Sequence, residues 1–152
     1  MTTFLKNRDM KFSFHLLLTC IALTACGESG KTTADYRIVP RPGEIAPGDG
    51  GDFELDARTR IVCTGDGDGM RANAEFLAGY VESVVGSAPE ITGPDGLCDD
   101  GRAVILRADA PGKGGEAYEI EVSENRITVS GESDAGVFYG IQTLRKAMGA
   151  AK

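Results

Sequence analysis

AYEIEVSENRITVSGESDAGVFYGIQTLRKAM, Ala117 to Met148, decides the fold of this chain. Tyr118, Ile120 and Val122 alternate with Glu119, Glu121 and Ser123, the period-two pattern of a strand with one wet face. Ile127 and Val129 repeat it after a short turn. In Glu124-Asn125-Arg126 the Asn tolerates the left-handed conformation that tight hairpins use. Ser133 is placed as a helix N-cap, with Asp134 beside it favoured by the helix dipole. Val137, Ile141, Leu144 and Met148 then recur at i, i+4, i+7 and i+11, one face of a helix, and Gly149 is placed to end it. Gly136 and Gly140 each cost about 1 kcal/mol against Ala in a helix interior. They share a face, so the pattern predicts a bare strip on which the helix lies close against a sheet, with a glycine-lined ligand groove as the alternative.

Working outward, Ala103 to Ala108 is apolar at consecutive positions and predicts a central strand covered on both sides. Pro111 to Gly115 is a glycine-rich turn, and Ser87 to Gly101 reads as a loop. Before it, Met70 to Val85 predicts a helix with Phe76, Leu77, Tyr80, Val81 and Val84 inward and Gly86 as its stop. Gly65 to Gly69, GDGDG, invites three readings. A phosphate cradle would be opposed by the charges of Asp66 and Asp68, and a calcium loop lacks further ligands and a closing Glu. A turn whose Asp caps the following helix fits best. Thr59 to Thr64 predicts a strand with Ile61 and Val62 buried. Phe53 to Asp56 predicts another, and Tyr36 to Val39 an edge strand that Pro40 and Pro42 stop. The fold expected is α+β: a mixed or antiparallel sheet of four or more strands with two helices packed on it, over residues 36–149.

The N-terminal end belongs to targeting. Lys6, Arg8 and Lys11 precede an apolar run from Phe12 to Leu23, too short to span a bilayer comfortably. The run ends in Leu23-Thr24-Ala25-Cys26, the pattern of a bacterial lipoprotein signal, with an ordinary secretory signal as the alternative. Residues 1–25 are thus expected to be removed and Cys26 lipidated, with residues 26–35 as a flexible tether. Each buried acyl methylene contributes about 0.8 kcal/mol, so two or three chains hold a protein at a membrane. Gly27 is not the Asp that would signal inner-membrane retention, which points to the outer membrane of a bacterial envelope.

Removal of Lys6, Arg8, Lys11 and Asp9 with that segment takes the 16 basic and 23 acidic residues to 13 and 22, net charge −9 over 127 residues. That length suits one domain with one core. The acidic balance argues against nucleic acid, whose phosphates need Lys and Arg. It also leaves membrane attachment to the lipid.

The chemistry available is restricted. The only histidine, His15, lies in the targeting segment, so a Ser-His-Asp triad, a Cys-His pair or a histidine zinc site has no residue to build on in the processed chain. No metal site or cofactor is predicted. Cys63 and Cys98 remain beside Cys26; in an oxidising envelope they suggest one disulfide, with two separate thiols as the alternative. There is no tryptophan. Tyr36, Tyr80 and Tyr118 fall where packing claims them, while Tyr139 points off the apolar helix face.

GVFYGIQTL (Gly136 to Leu144), preceded by SGESDA and the hairpin, resembles the end of the non-catalytic N-terminal domain of bacterial β-N-acetylhexosaminidases of glycoside hydrolase family 20. YRIVPRPGEI (Tyr36 to Ile45) is similar to the opening strand of that domain, so the resemblance covers about 115 residues. It implies an enzyme that removes terminal N-acetylglucosamine or N-acetylgalactosamine, with an adjacent Asp-Glu pair on a barrel strand as its catalytic apparatus. No Asp-Glu dipeptide occurs in this chain; Asp99-Asp100 is the nearest approach and sits in a glycine turn. The family's catalytic residues therefore map to no position here. The expectation is the N-terminal domain without its catalytic barrel, inactive by itself. An exposed apolar patch is expected where a barrel would dock, with the outer faces of the edge strand and second helix as candidates. A free-standing glycan- or protein-binding lipoprotein module, or the appended domain of another glycosidase family, are the alternatives.

Overall fold

Ala103, Val104, Ile105 and Leu106 are all buried, and the strand they form is the middle of a five-stranded sheet. The computed structural model describes residues 34, 35, 37, 42–46, 48, 51–97, 101–109 and 114–148. In chain order the strands are β1 (Arg60–Cys63), β2 (Ile91–Thr92), β3 (Ala103–Arg107), β4 (Tyr118–Val122) and β5 (Arg126–Gly131). The helices are α1 (Asp68–Val85), between β1 and β2, and α2 (Asp134–Met148), after β5. The spatial order is β2-β1-β3-β5-β4. β1 runs parallel to β2 and β3, β3 runs parallel to β5, and β4 alone is antiparallel, on β5. The α+β expectation holds, with the sheet mixed. Among the described residues no helix is long and apolar enough to cross a membrane.

Both helices pack on one face of the sheet. Ile61, Cys63, Val104, Leu106, Ile127 and Val129 meet Met70, Ala74, Leu77 and Val81 of α1 and Val137, Ile141 and Leu144 of α2. Val62, Ala103 and Ile105 are buried on the opposite face. The strip on α2 is real. A side chain on Gly136 would collide with the carbonyl oxygen of Ala117, and one on Gly140 would stand 2.5 Å from Val129 Cγ1. The glycines let the helix axis approach β4 and β5 more closely than any larger residue permits. Ser133 caps α2 as expected: its Oγ accepts from the Gly136 N–H at 3.3 Å while its hydroxyl donates to the Gly115 carbonyl. Tyr118 Oη and Thr143 Oγ1, 2.7 Å apart, bind β4 to α2 from the side.

Five local expectations are corrected. Phe53 to Asp56 is not in a ladder. Phe53 and Leu55 do pack on the core, but Asp56 turns the chain by accepting from the Arg58 N–H at 2.9 Å, and the Glu54 carbonyl accepts from Arg102. The stretch from Ser87 to Gly101 contains β2 and a 3-10 turn, Pro94–Gly96. The hairpin turn has no left-handed Asn125, since no described residue other than glycine has positive φ; it closes through Ser123, whose N–H donates to the Arg126 carbonyl at 2.8 Å. No aspartate caps α1. Gly67 is its N-cap, without a side-chain bond, and Gly69 is small because the Asp134 carboxylate lies where its side chain would be. The buried face of α1 is also rotated, leaving Phe76 and Val84 exposed. At the other end Gly86, at φ 85°, closes α1 with its N–H on the Glu82 carbonyl, as predicted. Of Tyr36 to Val39 only Arg37 is among the described residues, and it is in no ladder; Gly149 lies outside them.

Candidate functional site

The expected sites separate. Cys26, Cys98 and the Asp99-Asp100 pair lie outside the described residues. Cys63 is a free thiol, 8% exposed, under α1 with its sulfur 4.0 Å from the Met70 carbonyl. Burial pushes that thiol up, toward its protonated and unreactive form. Among the described residues no three His, Cys, Asp or Glu side chains converge as metal ligands.

Several carboxylates are tied up with arginine. At Asp56 burial pushes the carboxyl up, but hydrogen bonds from Arg58 and the charges of Arg58 and Arg102 outweigh it and hold it below the usual range. Arg58 Nη2 and Arg102 Nη1 both sit 2.8 Å from Asp56 Oδ2. Arg107 does the same for Asp109, and Arg37 for Asp35, each chiefly through its side-chain hydrogen bonds. A glycosidase general acid needs the opposite displacement, a carboxyl kept protonated.

The distinctive surface is the seam between the helices on the side away from the sheet. Phe76, Tyr80 and Val84 recur every four residues along α1. Phe76 meets Phe138 of α2 with ring centroids 5.4 Å apart, and Phe138 meets Tyr139 at 6.1 Å. Arg145 reaches across from α2 so that its guanidinium carbon lies 4.9 Å from the Phe76 centroid and 5.0 Å from that of Tyr80. That is cation–π range, worth about 0.5–1 kcal/mol at an exposed site. Arg145 Nη1 donates to Gln142 Oε1 at 2.9 Å, and the Tyr80 hydroxyl donates to the Arg145 carbonyl at 3.4 Å. Glu75, Gly79 and Ser83 complete the wall of an open depression of 420 Å³ beside these rings. Phe76 is 38% exposed, Val84 44% and Tyr139 43%.

Periodicity missed this surface for a definable reason. The apolar arc of α1 is wider than the sheet covers, and a pattern that marks Phe76, Tyr80 and Val84 as apolar does not say whether a sheet or another surface meets them.

Two helices packed on one face of a mixed five-stranded sheet define a two-layer α+β domain. Residues 35–152 match the family model described as glycosyl hydrolase family 20, domain 2, and the chain belongs to that family. Over 114 residues it is 29% identical to a beta-N-acetylhexosaminidase of Cellulomonas fimi, a match covering 75% of this chain and 23% of that protein. Its fold is similar to that of the family 20 beta-N-acetylhexosaminidase of Streptomyces coelicolor, with TM-score 0.63 and 26% identity over 74% of this chain and 21% of that one. A Streptomyces plicatus beta-hexosaminidase mutant in complex with product GlcNAc matches with TM-score 0.59 and 25% identity, again over 74% and 21%. The chain thus spans between a fifth and a quarter of the length of these relatives.

Proposed function

We propose that this domain serves a β-N-acetylhexosaminidase of the bacterial envelope as its non-catalytic support, held at the membrane by lipid on Cys26. The whole enzyme would remove terminal N-acetylglucosamine or N-acetylgalactosamine from glycans, and this part would carry no turnover. The observation that carries the reading is where the chemistry-bearing residues go. Most of the buried apolar residues form one core between the sheet and the helices, and Asp35, Asp56 and Asp109 are held ionised by arginines. The basic start, the apolar run and Leu23-Thr24-Ala25-Cys26 support lipidation, and Gly27 supports the outer membrane.

The test is an assay of purified residues 27–152 with a chromogenic N-acetylglucosaminide, together with calorimetry against chitooligosaccharides. No turnover and no heat of binding are expected. Release that scales with protein concentration would refute the reading, and saturable heat would favour a glycan-binding module. For the anchor, Cys26→Ser should abolish incorporation of labelled palmitate and move the protein out of the membrane fraction; unchanged incorporation would refute lipidation there.

A further inference from the structure

We infer that the end of the domain holding the β4–β5 turn rests on the bilayer to which Cys26 is anchored, with Ile45 and Val122 meeting the lipid headgroups and the carboxyl ends of β1, β3 and β5 pointing away. This rests on the lipid anchor given under Proposed function and adds the surface that meets the bilayer and the way up in which the domain stands on it.

The first observation is where the tether ends. The Asp35 N–H donates to the Ala147 carbonyl at 2.8 Å, in the last turn of α2. α2 folds straight back over β5, with Val137 at Gly131 and Gly140 at Val129. Its last turn therefore comes level with the start of β5 and the turn joining β4 to it. Gly51 lies against Glu124 of that turn, and Gly48 beside the Val122 carbonyl. Nine peptide links separate Cys26 from Asp35; they span about 17 Å as a flexible coil and about 32 Å fully stretched. α1, with 18 residues, is about 27 Å long and runs from the carboxyl end of β1 back to the start of β2. The relaxed tether is shorter than that, so the end carrying Asp35 stays nearest the bilayer.

The second is what this end exposes. Val122 is 48% exposed, more than any other large apolar side chain among the described residues, and Ile45 is 42% exposed. Arg37 and Lys146, both exposed, adjoin the two partners of the Asp35–Ala147 bond in sequence. Apolar side chains among long cationic ones suit the headgroup boundary, where the first enter and the second keep their charge in water.

The third is the placement of acid. Asp66 and Asp68 follow β1, Asp109 follows β3, and Glu132 and Asp134 follow β5. Of these only Asp109 has an arginine on it, Arg107, so an anionic leaflet repels that end. Near the tether Asp35, Asp56 and Glu90 all pair with arginines. Glu44, Asp52 and Glu124 stand there against Arg126 and Lys146, a smaller acid excess. The acyl chains do the holding, and this end is the one that can lie against lipid.

The test uses the full chain, lipidated in cells and reconstituted into vesicles of phosphatidylethanolamine and phosphatidylglycerol that carry a headgroup nitroxide. A fluorophore is attached through Asn125→Cys in the β4–β5 turn or through Asp66→Cys at the far end, each with Cys98→Ser; Cys63 is buried and stays unlabelled. Quenching at position 125 should exceed that at position 66 by at least about twofold, and Ile45→Asp with Val122→Asp should cut it to about half or less. Both side chains are exposed, so the aspartate pair should leave Tm within about 2 °C. Equal quenching at the two positions, stronger quenching at 66, or quenching at 125 untouched by the aspartate pair would each overturn the inference. Flotation separates this from the anchor itself. A chain that does not float with the vesicles lacks the anchor and takes the inference with it, whereas a floating chain quenched equally at both positions loses the orientation alone.

Discussion

Asn73 Nδ2 donates a 2.8 Å hydrogen bond to the carbonyl oxygen of Asp134, and this contact sets the level at which the two helices lie beside each other. Asn73 is buried, and it is the polar residue in a stripe otherwise made of Met70, Ala74, Leu77 and Val81. Its partner is the first residue of α2, so a side chain of one helix fixes the start of the other.

Removing that donor takes away the bond between the helices and leaves the Asp134 carbonyl to its own helix ladder. Asn73→Ala should cost about 1 kcal/mol, read as a lower urea midpoint at unchanged m-value. A change under about 0.3 kcal/mol would mean that solvent replaces the bond.

The close seat of α2 makes its glycines poor sites for the usual stabilising exchange. Ala in place of Gly gains about 1 kcal/mol in a free helix, but overpacking costs about 1–3 kcal/mol. Val129, fully buried, cannot rotate away from a new methyl at position 140. Gly140→Ala should therefore be destabilising, and Gly136→Ala more so, because its obstacle is the Ala117 backbone. Thermal unfolding of both variants is the check; a raised Tm for either would place the helix farther from the sheet.

Asp56 gives the fold an acid-sensitive joint. Its carboxyl titrates lower in the folded protein than the ordinary value near 3.8. Its ionised form therefore stabilises fully above that value, and the contribution fades as pH falls below it toward the folded pKa. Asp56→Asn should cost about 1 kcal/mol at pH 7, and the gap to the parent should close below about pH 4. A gap constant from pH 7 to pH 3 would assign the loss to shape rather than charge.

Cys63 should behave as a core residue. In the reduced protein its thiol, pushed up by burial, should alkylate at the rate of unfolding rather than at that of a free thiol. Peptide mapping after timed exposure to iodoacetamide reads this, and rapid modification in native conditions would contradict the burial.

How much was legible follows from how local each signal is. The two strands of the hairpin, the Ser133 cap and the inward face of α2 each rest on residues within a few positions, and each stands in the structure as expected, the hairpin turn excepted. β2 escaped because Ile91 and Thr92 are too few to show alternation. Phe53 and Leu55 alternate and pack as a strand would, but only a neighbour can supply a ladder, and Asp56 takes the chain into a turn instead. The α1 cap failed because GDGDG reads as a local motif, whereas Gly69 answers to Asp134, distant in sequence. The outer stripe of α1, Phe76, Tyr80 and Val84, was legible as apolar, not as outward.

The arrangement of Gly136 and Gly140 over the hairpin has a kinetic corollary. β4, β5 and α2 are consecutive in the chain, so their mutual contacts close short loops, whereas β1 must wait for β3 across some forty residues. The C-terminal unit should thus assemble in the transition state and β2 last. Val129→Ala should slow refolding, while Ile91→Ala should mainly hasten unfolding. Stopped-flow chevrons showing the reverse would make the parallel pairing, not the hairpin, the nucleus.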